Sequence, residues 1–98
     1  MAKEKVYVVI GLGSFGRQLC ETFVERGGSV IAVDNSSELI DRIKDSVTQA
    51  VMIDATDEES LAQISFDDVD VAVVAIGDNI EASILITALL KRDRKSVV

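Results

Sequence analysis

The sequence has no histidine, no proline and a single cysteine, Cys20, in 98 residues. One thiol rules out an internal disulfide. The absence of histidine removes the commonest general base and the commonest metal ligand. Basic residues are also scarce, 10 against 17 acidic, which leaves a formal net charge of −7. A nucleic-acid binder normally displays a basic patch, and here lysine and arginine are scattered, so no nucleic-acid partner is expected. The densest cationic stretch, "KRDRK" from Lys91 to Lys95, reads as a solvated helix end, where cations suit the dipole. No apolar run approaches the ~18 residues that a membrane-spanning helix requires. The apolar run near the N-terminus stops at Gly11, so neither a signal peptide nor direct membrane insertion is expected. A cytoplasmic location follows.

What is present is 48% hydrophobic and 28% charged residue, the balance of a globular chain. The length fits one domain over residues 1–98. Continuous apolar runs alternate with helix-period segments. Val6–Ile10, Val30–Val33, Val47–Ile53 and Val69–Ile76 read as strands without polar alternation, as expected when helices cover both faces of a parallel sheet. Between and after them, helical stripes are predicted over Ser14–Arg26, Ser37–Asp45, Asp57–Gln63 and Asn79–Lys91. Asn35-x-x-Glu38, Thr56-x-x-Glu59 and Asp78-x-x-Glu81 match the capping-box spacing. "RGGS" at 26–29 ends the first helix on glycine. The fold class is therefore α/β, a Rossmann-like doubly wound parallel sheet with right-handed crossovers. The closing "KSVV" resembles the opening of a fifth strand cut short, so the chain is expected to be a fragment of a longer protein. The last helix is apolar on nearly all sides, from Ile80 to Leu90; a helix on one sheet face needs only one stripe. The surplus is expected to pack on another subunit, with the missing C-terminal part as the other candidate. Cys20, within the first helix, reads as a small core residue.

The first strand runs straight into Gly11, Gly13 and Gly16, and these run into the first helix. An abrupt strand-to-helix turn needs a conformation open mainly to glycine, supplied by Gly11. Gly13 lets a pyrophosphate approach the main chain, and Gly16 lets helix and strand pack closely. The helix then directs free N–H groups at the phosphates. The second strand ends in Asp34, 18 residues after Gly16, where a carboxylate accepts hydrogen bonds from a ribose diol and repels a 2′-phosphate. A plain glycine turn and a helix-capping aspartate explain each part singly. Strand, glycines, helix and Asp34 together favour nucleotide binding. At the same sheet edge lie Asp54, Ala55 and Thr56 after strand three, and Ile76, Gly77, Asp78 and Asn79 after strand four. Small Ala55 and Gly77 leave room for adenine and its sugar. Asp54 serves either the adenine amino group or the next turn. Asn79 serves either the second ribose or phosphate, or helix-start chemistry. Asp57, Glu58 and Glu59 read as an acidic first helical turn rather than a metal site. No catalytic residue and no metal ligand is assigned.

"VIGLGSFGRQL", "IAVDNSSE", "VMIDATDEESL" and "VAIGDNIEASILITALLK" together resemble the KTN domain, the N-terminal half of the RCK modules that regulate bacterial potassium transport (KtrA/TrkA-like). The match covers essentially the whole chain, and the third and fourth stretches are more specific than the glycines. The resemblance implies a non-enzymatic domain that binds NAD(H), ATP or ADP. It implies homodimers, often in octameric rings, on the cytoplasmic side of a membrane-embedded potassium transporter or channel subunit. In that family nucleotide exchange reshapes the ring and gates ion flow. Carried over, Gly11, Gly13, Ser14, Phe15 and Gly16 form the phosphate loop, and Asp34 with Asn35 the ribose side. Asp54 and Ala55 match the adenine side, and Ile76, Gly77 and Asn79 the opposite lip. Family members often carry arginine where Ser14 stands, reaching the terminal phosphate of ATP. Ser14 donates only a neutral hydrogen bond, and Arg17 lies nearby, so weight moves toward NAD(H). The alternative is the cofactor-binding half of an NAD-dependent dehydrogenase.

Overall fold

A computed structural model describes residues 5–64, 69–76 and 96–97. Among these residues five strands and three helices follow in the order β1 (Val6–Ile10), α1 (Ser14–Glu25), β2 (Ser29–Asp34), α2 (Ser37–Ile43), β3 (Gln49–Met52), α3 (Glu58–Leu61), β4 (Val71–Val74) and β5 (Ser96–Val97). The strands are all parallel, in the spatial order β3-β2-β1-β4-β5. This is the Rossmann-like α/β sheet expected from the alternating pattern, and "KSVV" does contribute a short fifth strand. The chain steps outward from β1 to β2 and β3, then returns to place β4 on the other side of β1. Where the direction reverses, the connections diverge and leave a crevice at the carboxyl ends of the strands.

Successive residues of β1 point to opposite faces, which explains its unbroken apolar run. Val8 and Ile10 join Val33, Ala72, Leu61 and Ile64 in one buried cluster. Val9 joins Val30, Ala32, Cys20 of α1 and Ile43 of α2 in the other. Helices thus cover both faces, and each buried Val or Ile contributes about 1.5–3 kcal/mol. Tyr7 and Phe23 stack with ring centroids 4.0 Å apart, fastening α1 to the start of β1. The end of α1 is a Schellman turn: Gly28 N–H donates to the Phe23 carbonyl at 2.9 Å and Gly27 N–H to the Val24 carbonyl at 3.0 Å.

β1 has the bounds the sequence pattern predicts and β2 is one residue longer at each end, whereas β3, β4 and the helices are a residue or two shorter at most ends. Two helix caps also differ. Ser36, not Asn35, caps α2, its Oγ accepting from Leu39 N–H at 3.3 Å. Asp57, not Thr56, caps α3, accepting from Glu59 N–H at 3.2 Å. An Asx turn precedes each helix: Asp34 takes the N–H of the cap Ser36 itself, and Asp54 takes the N–H of Thr56, one residue before the cap Asp57. Glu38, freed from a capping box, pairs with Arg42 at 2.6 Å. The predicted box at Asp78, the apolar helix Asn79–Lys91 and the cationic stretch Lys91–Lys95 lie outside the described residues. Among the described residues, no helix is long and apolar enough to cross a membrane.

Candidate functional site

The carboxyl edge of the sheet is shaped by how β1 passes into α1. Gly11 N–H donates to the Val33 carbonyl at 2.8 Å, continuing the β1–β2 ladder one residue past the strand. Gly11 then turns with φ +101°, and a Cβ there would lie 2.4 Å from the Ala75 carbonyl oxygen. A Cβ on Gly16 would lie 1.8 Å from the Gly11 carbonyl oxygen. Both glycines are therefore demanded by the chain's own packing. Gly13 is different. Its φ of −67° and ψ of −171° suit any residue, and a Cβ there would meet nothing among the described residues within 4 Å. It is the N-cap of α1, yet among the described residues no side chain caps this helix, and its first turn holds no acidic residue. The positive end of a twelve-residue helix is thus left bare beside open space, the arrangement that receives anions.

A cleft of about 620 Å³ opens there, within the usual range for small-molecule sites. Gly11, Gly13, Ser14 and Phe15 form one wall, Asp34 and Asn35 the next, Asp54 and Ala55 a third, and Ile76 the opposite side. Gly16 lies behind the lining, against Gly11. Gly77 and Asn79 lie outside the described residues. Phe15 is 63% exposed. Arg17 does not line the cleft; its Nε is buried without a hydrogen-bond partner among the described residues.

Asp34 ends β2 with its carboxylate held from two sides. Oδ2 accepts from Leu12 N–H at 2.8 Å, and Oδ1 accepts from Ser36 N–H at 2.9 Å. Asp54 Oδ1 accepts from Thr56 Oγ–H at 2.5 Å and from Thr56 N–H at 3.0 Å. The hydroxyl first and the amide second hold the Asp54 carboxyl below its ordinary range. The turn role foreseen for Asp54 is thus realised in the chain itself. Asp57 also accepts from Ser60 Oγ–H at 2.9 Å, so the acidic run opens α3 by capping it. Several apolar residues that the sequence pattern does not assign to the site also line the cleft, among them Leu12, Leu39 and Ile53. Leu39 sits in the α2 stripe and reads as core; Leu12 sits inside the glycine motif, where its apolar side chain was the available signal.

Sequence comparison matches the TrkA-N domain model over residues 7–98. The chain belongs to the TrkA-N domain family. It is 38% identical over 88 residues to the Ktr system potassium uptake protein A of Vibrio alginolyticus, covering 90% of this chain and 40% of that protein. It is 40% identical over 88 residues to the Ktr system potassium uptake protein C of Bacillus subtilis, again covering 90% of this chain and 40% of that protein. The TrkA-N chain therefore spans about 40% of the length of these relatives. Among solved structures it is similar to the NAD(P)-binding domain of an exopolyphosphatase-related protein from Archaeoglobus fulgidus. There the TM-score is 0.77 at 30% identity, covering 88% of this chain and 64% of that one. Serine dehydrogenase from Escherichia coli, TM-score 0.69 at 20% identity over 94% of this chain and 59% of that one, shares the fold alone.

Proposed function

We propose that this TrkA-N domain is a non-enzymatic, nucleotide-sensing module of a potassium uptake system, and that NAD(H) is its preferred ligand, with ATP or ADP as the alternative. The observation that carries the proposal is Gly13. The fold does not need glycine there, yet a side chain would project where main-chain amides border the cleft. In this proposal the pyrophosphate rests on the Gly11–Gly16 loop with Ser14 and Phe15, and Asp34 with Asn35 takes the ribose. Asp54 and Ala55 border the adenine, and Ile76 forms the opposite lip. The charged residues lining the cleft, among those described, are Asp34 and Asp54, both acidic. A dinucleotide's bridging pyrophosphate carries less negative charge into that field than a triphosphate does, which supports NAD(H).

The bound nucleotide supplies charge and shape that differ between its forms. It shifts the assembly only through different affinity for two subunit arrangements. The Ktr relatives' names support a membrane-embedded potassium transporter or channel subunit as partner, with this domain on the cytoplasmic side as a homodimer or within a ring. The domain boundaries, 1–98, are those of one nucleotide-binding unit within a longer chain. The alternative of a dehydrogenase's cofactor half shares the fold, but the Ktr relatives favour transport.

Calorimetric titration of the 98-residue chain with NAD⁺, NADH, ATP and ADP tests the proposal, with Gly13→Val as control. Micromolar binding of at least one nucleotide, lost in Gly13→Val, is expected. No binding, or equal binding by the variant, would overturn it.

A further inference from the structure

We infer that Asp34 is a positioning residue for the phosphate loop, a clasp that sets the loop before any ligand arrives, in addition to its ribose role. The inference rests on the nucleotide reading of the cleft. The β1–β2 ladder ends with Gly11 N–H on the Val33 carbonyl. The next amide, Leu12 N–H, has run past the strand, and the Asp34 side chain supplies the rung that the main chain no longer can, at 2.8 Å. The Leu12 side chain is fully buried in the cluster with Val9 and Cys20. The residue between the first two glycines is thereby fixed at both its amide and its side chain. Without such anchors a glycine loop samples many backbone states, and Gly13 has no side-chain contacts to restrain it.

The clasp is itself anchored. Its other oxygen holds Ser36 N–H at 2.9 Å, and the Asp34 carbonyl receives Ile53 N–H at 3.1 Å. Asp34 thus ties together the glycine loop, the start of α2 and the end of β3. An ionised carboxylate offers about four acceptor sites, so the two amides leave capacity for a ribose diol. The sugar adds to the clasp rather than displacing it.

A ribose-free probe separates the two roles. With inorganic pyrophosphate, removing a nearby negative charge should by electrostatics alone tighten binding. The clasp gives the opposite sign: Asp34→Ala is expected to weaken pyrophosphate about tenfold, as loss of a charged hydrogen bond does. Asp34→Asn, which keeps one carbonyl acceptor, is expected to fall between. Equal or tighter pyrophosphate binding by Asp34→Ala overturns the clasp while leaving the ribose role intact. Amide hydrogen exchange on the ligand-free chain provides a second reading that needs no probe affinity. Leu12 and Ser36 amides are expected to exchange about tenfold faster in Asp34→Ala, with Val8 and Val9 unchanged as the check on folding. Unchanged Leu12 exchange overturns the clasp. Wild-type chain that binds no nucleotide, yet shows the exchange difference, overturns the nucleotide reading and not the clasp.

Discussion

The carbonyl oxygen of Gly11 occupies the place where a side chain on Gly16 would begin, 1.8 Å from the ideal Cβ position. Gly16→Ala must therefore push α1 away from the loop, and a cost of about 3 kcal/mol or more is expected. Gly13→Ala, free of contacts, is expected to cost only about 0.5–1 kcal/mol, the difference between glycine and alanine at an N-cap. Urea denaturation of the two variants measures both. Similar midpoints for Gly16→Ala and Gly13→Ala would show that these two glycines share one structural job after all.

That division of labour was only half visible in the residues. Three glycines between a strand and a helix announce the turn, and Asp34 announces the end of β2, because both depend on local spacing. The two-sided core follows from unbroken apolar runs such as Val6–Ile10. Hydrogen bonds across 22 residues, such as Leu12 to Asp34, depend on two strands lying side by side and leave no periodic trace. Local side-chain bonds accompany the displaced helix starts. Asn35 and Thr56 have the right spacing to a glutamate, but spacing does not reveal that Asp34 and Asp54 hold the Ser36 and Thr56 amides.

The displaced cap on α2 has a direct consequence. Ser36→Ala removes the oxygen that holds Leu39 N–H and is expected to destabilise by about 1 kcal/mol. Asn35→Ala removes no cap and is expected to change stability by less than about 0.5 kcal/mol. Thermal melts of the pair decide which residue begins the helix. A larger loss from Asn35→Ala would restore the cap to that position.

The Asp54–Thr56 turn is pH-dependent. Hydrogen bonds to its charged form lower the folded pKa of Asp54 below the unfolded value, so the turn's contribution is complete above the unfolded value. It disappears as pH falls through the folded one. Because Asp54 is exposed, the effect on global stability is small and is best read locally, from the Thr56 amide shift in an acid titration. Thr56→Val deletes the hydroxyl bond, the larger cause, and is expected to move the midpoint up toward the ordinary carboxylate range. A midpoint that does not move would assign the depression to something other than Thr56.

Cys20 titrates in the opposite sense. Burial first, and the neighbouring Glu21 second, push its thiol up to about 11. The neutral thiol is thus favoured in the folded chain. Its stabilising contribution is whole below the unfolded pKa, near 9, and is lost as pH rises toward 11. At pH 8 a disulfide-exchange reagent is expected to label Cys20 only through unfolding, so the labelling rate should climb with urea. Rapid labelling of the native chain would mean that the α1 face against Val9 and Val30 opens easily.

The Asp34 carboxylate also sets a limit on the cofactor. Held by Leu12 and Ser36 amides, it cannot swing away when a ligand approaches. Under the proposed nucleotide reading, a 2′-phosphate on the adenine ribose faces a fixed negative charge at hydrogen-bonding range, whereas a free 2′-hydroxyl donates to it. NADPH is therefore expected to bind at least about tenfold more weakly than NADH, a difference of about 1.4 kcal/mol. Raising the salt should narrow the gap, since repulsion at the partly exposed cleft is screened. Parallel titrations with the two reduced dinucleotides at low and high ionic strength measure this. Equal affinity would place the adenine ribose away from Asp34, even with the phosphate loop correctly assigned.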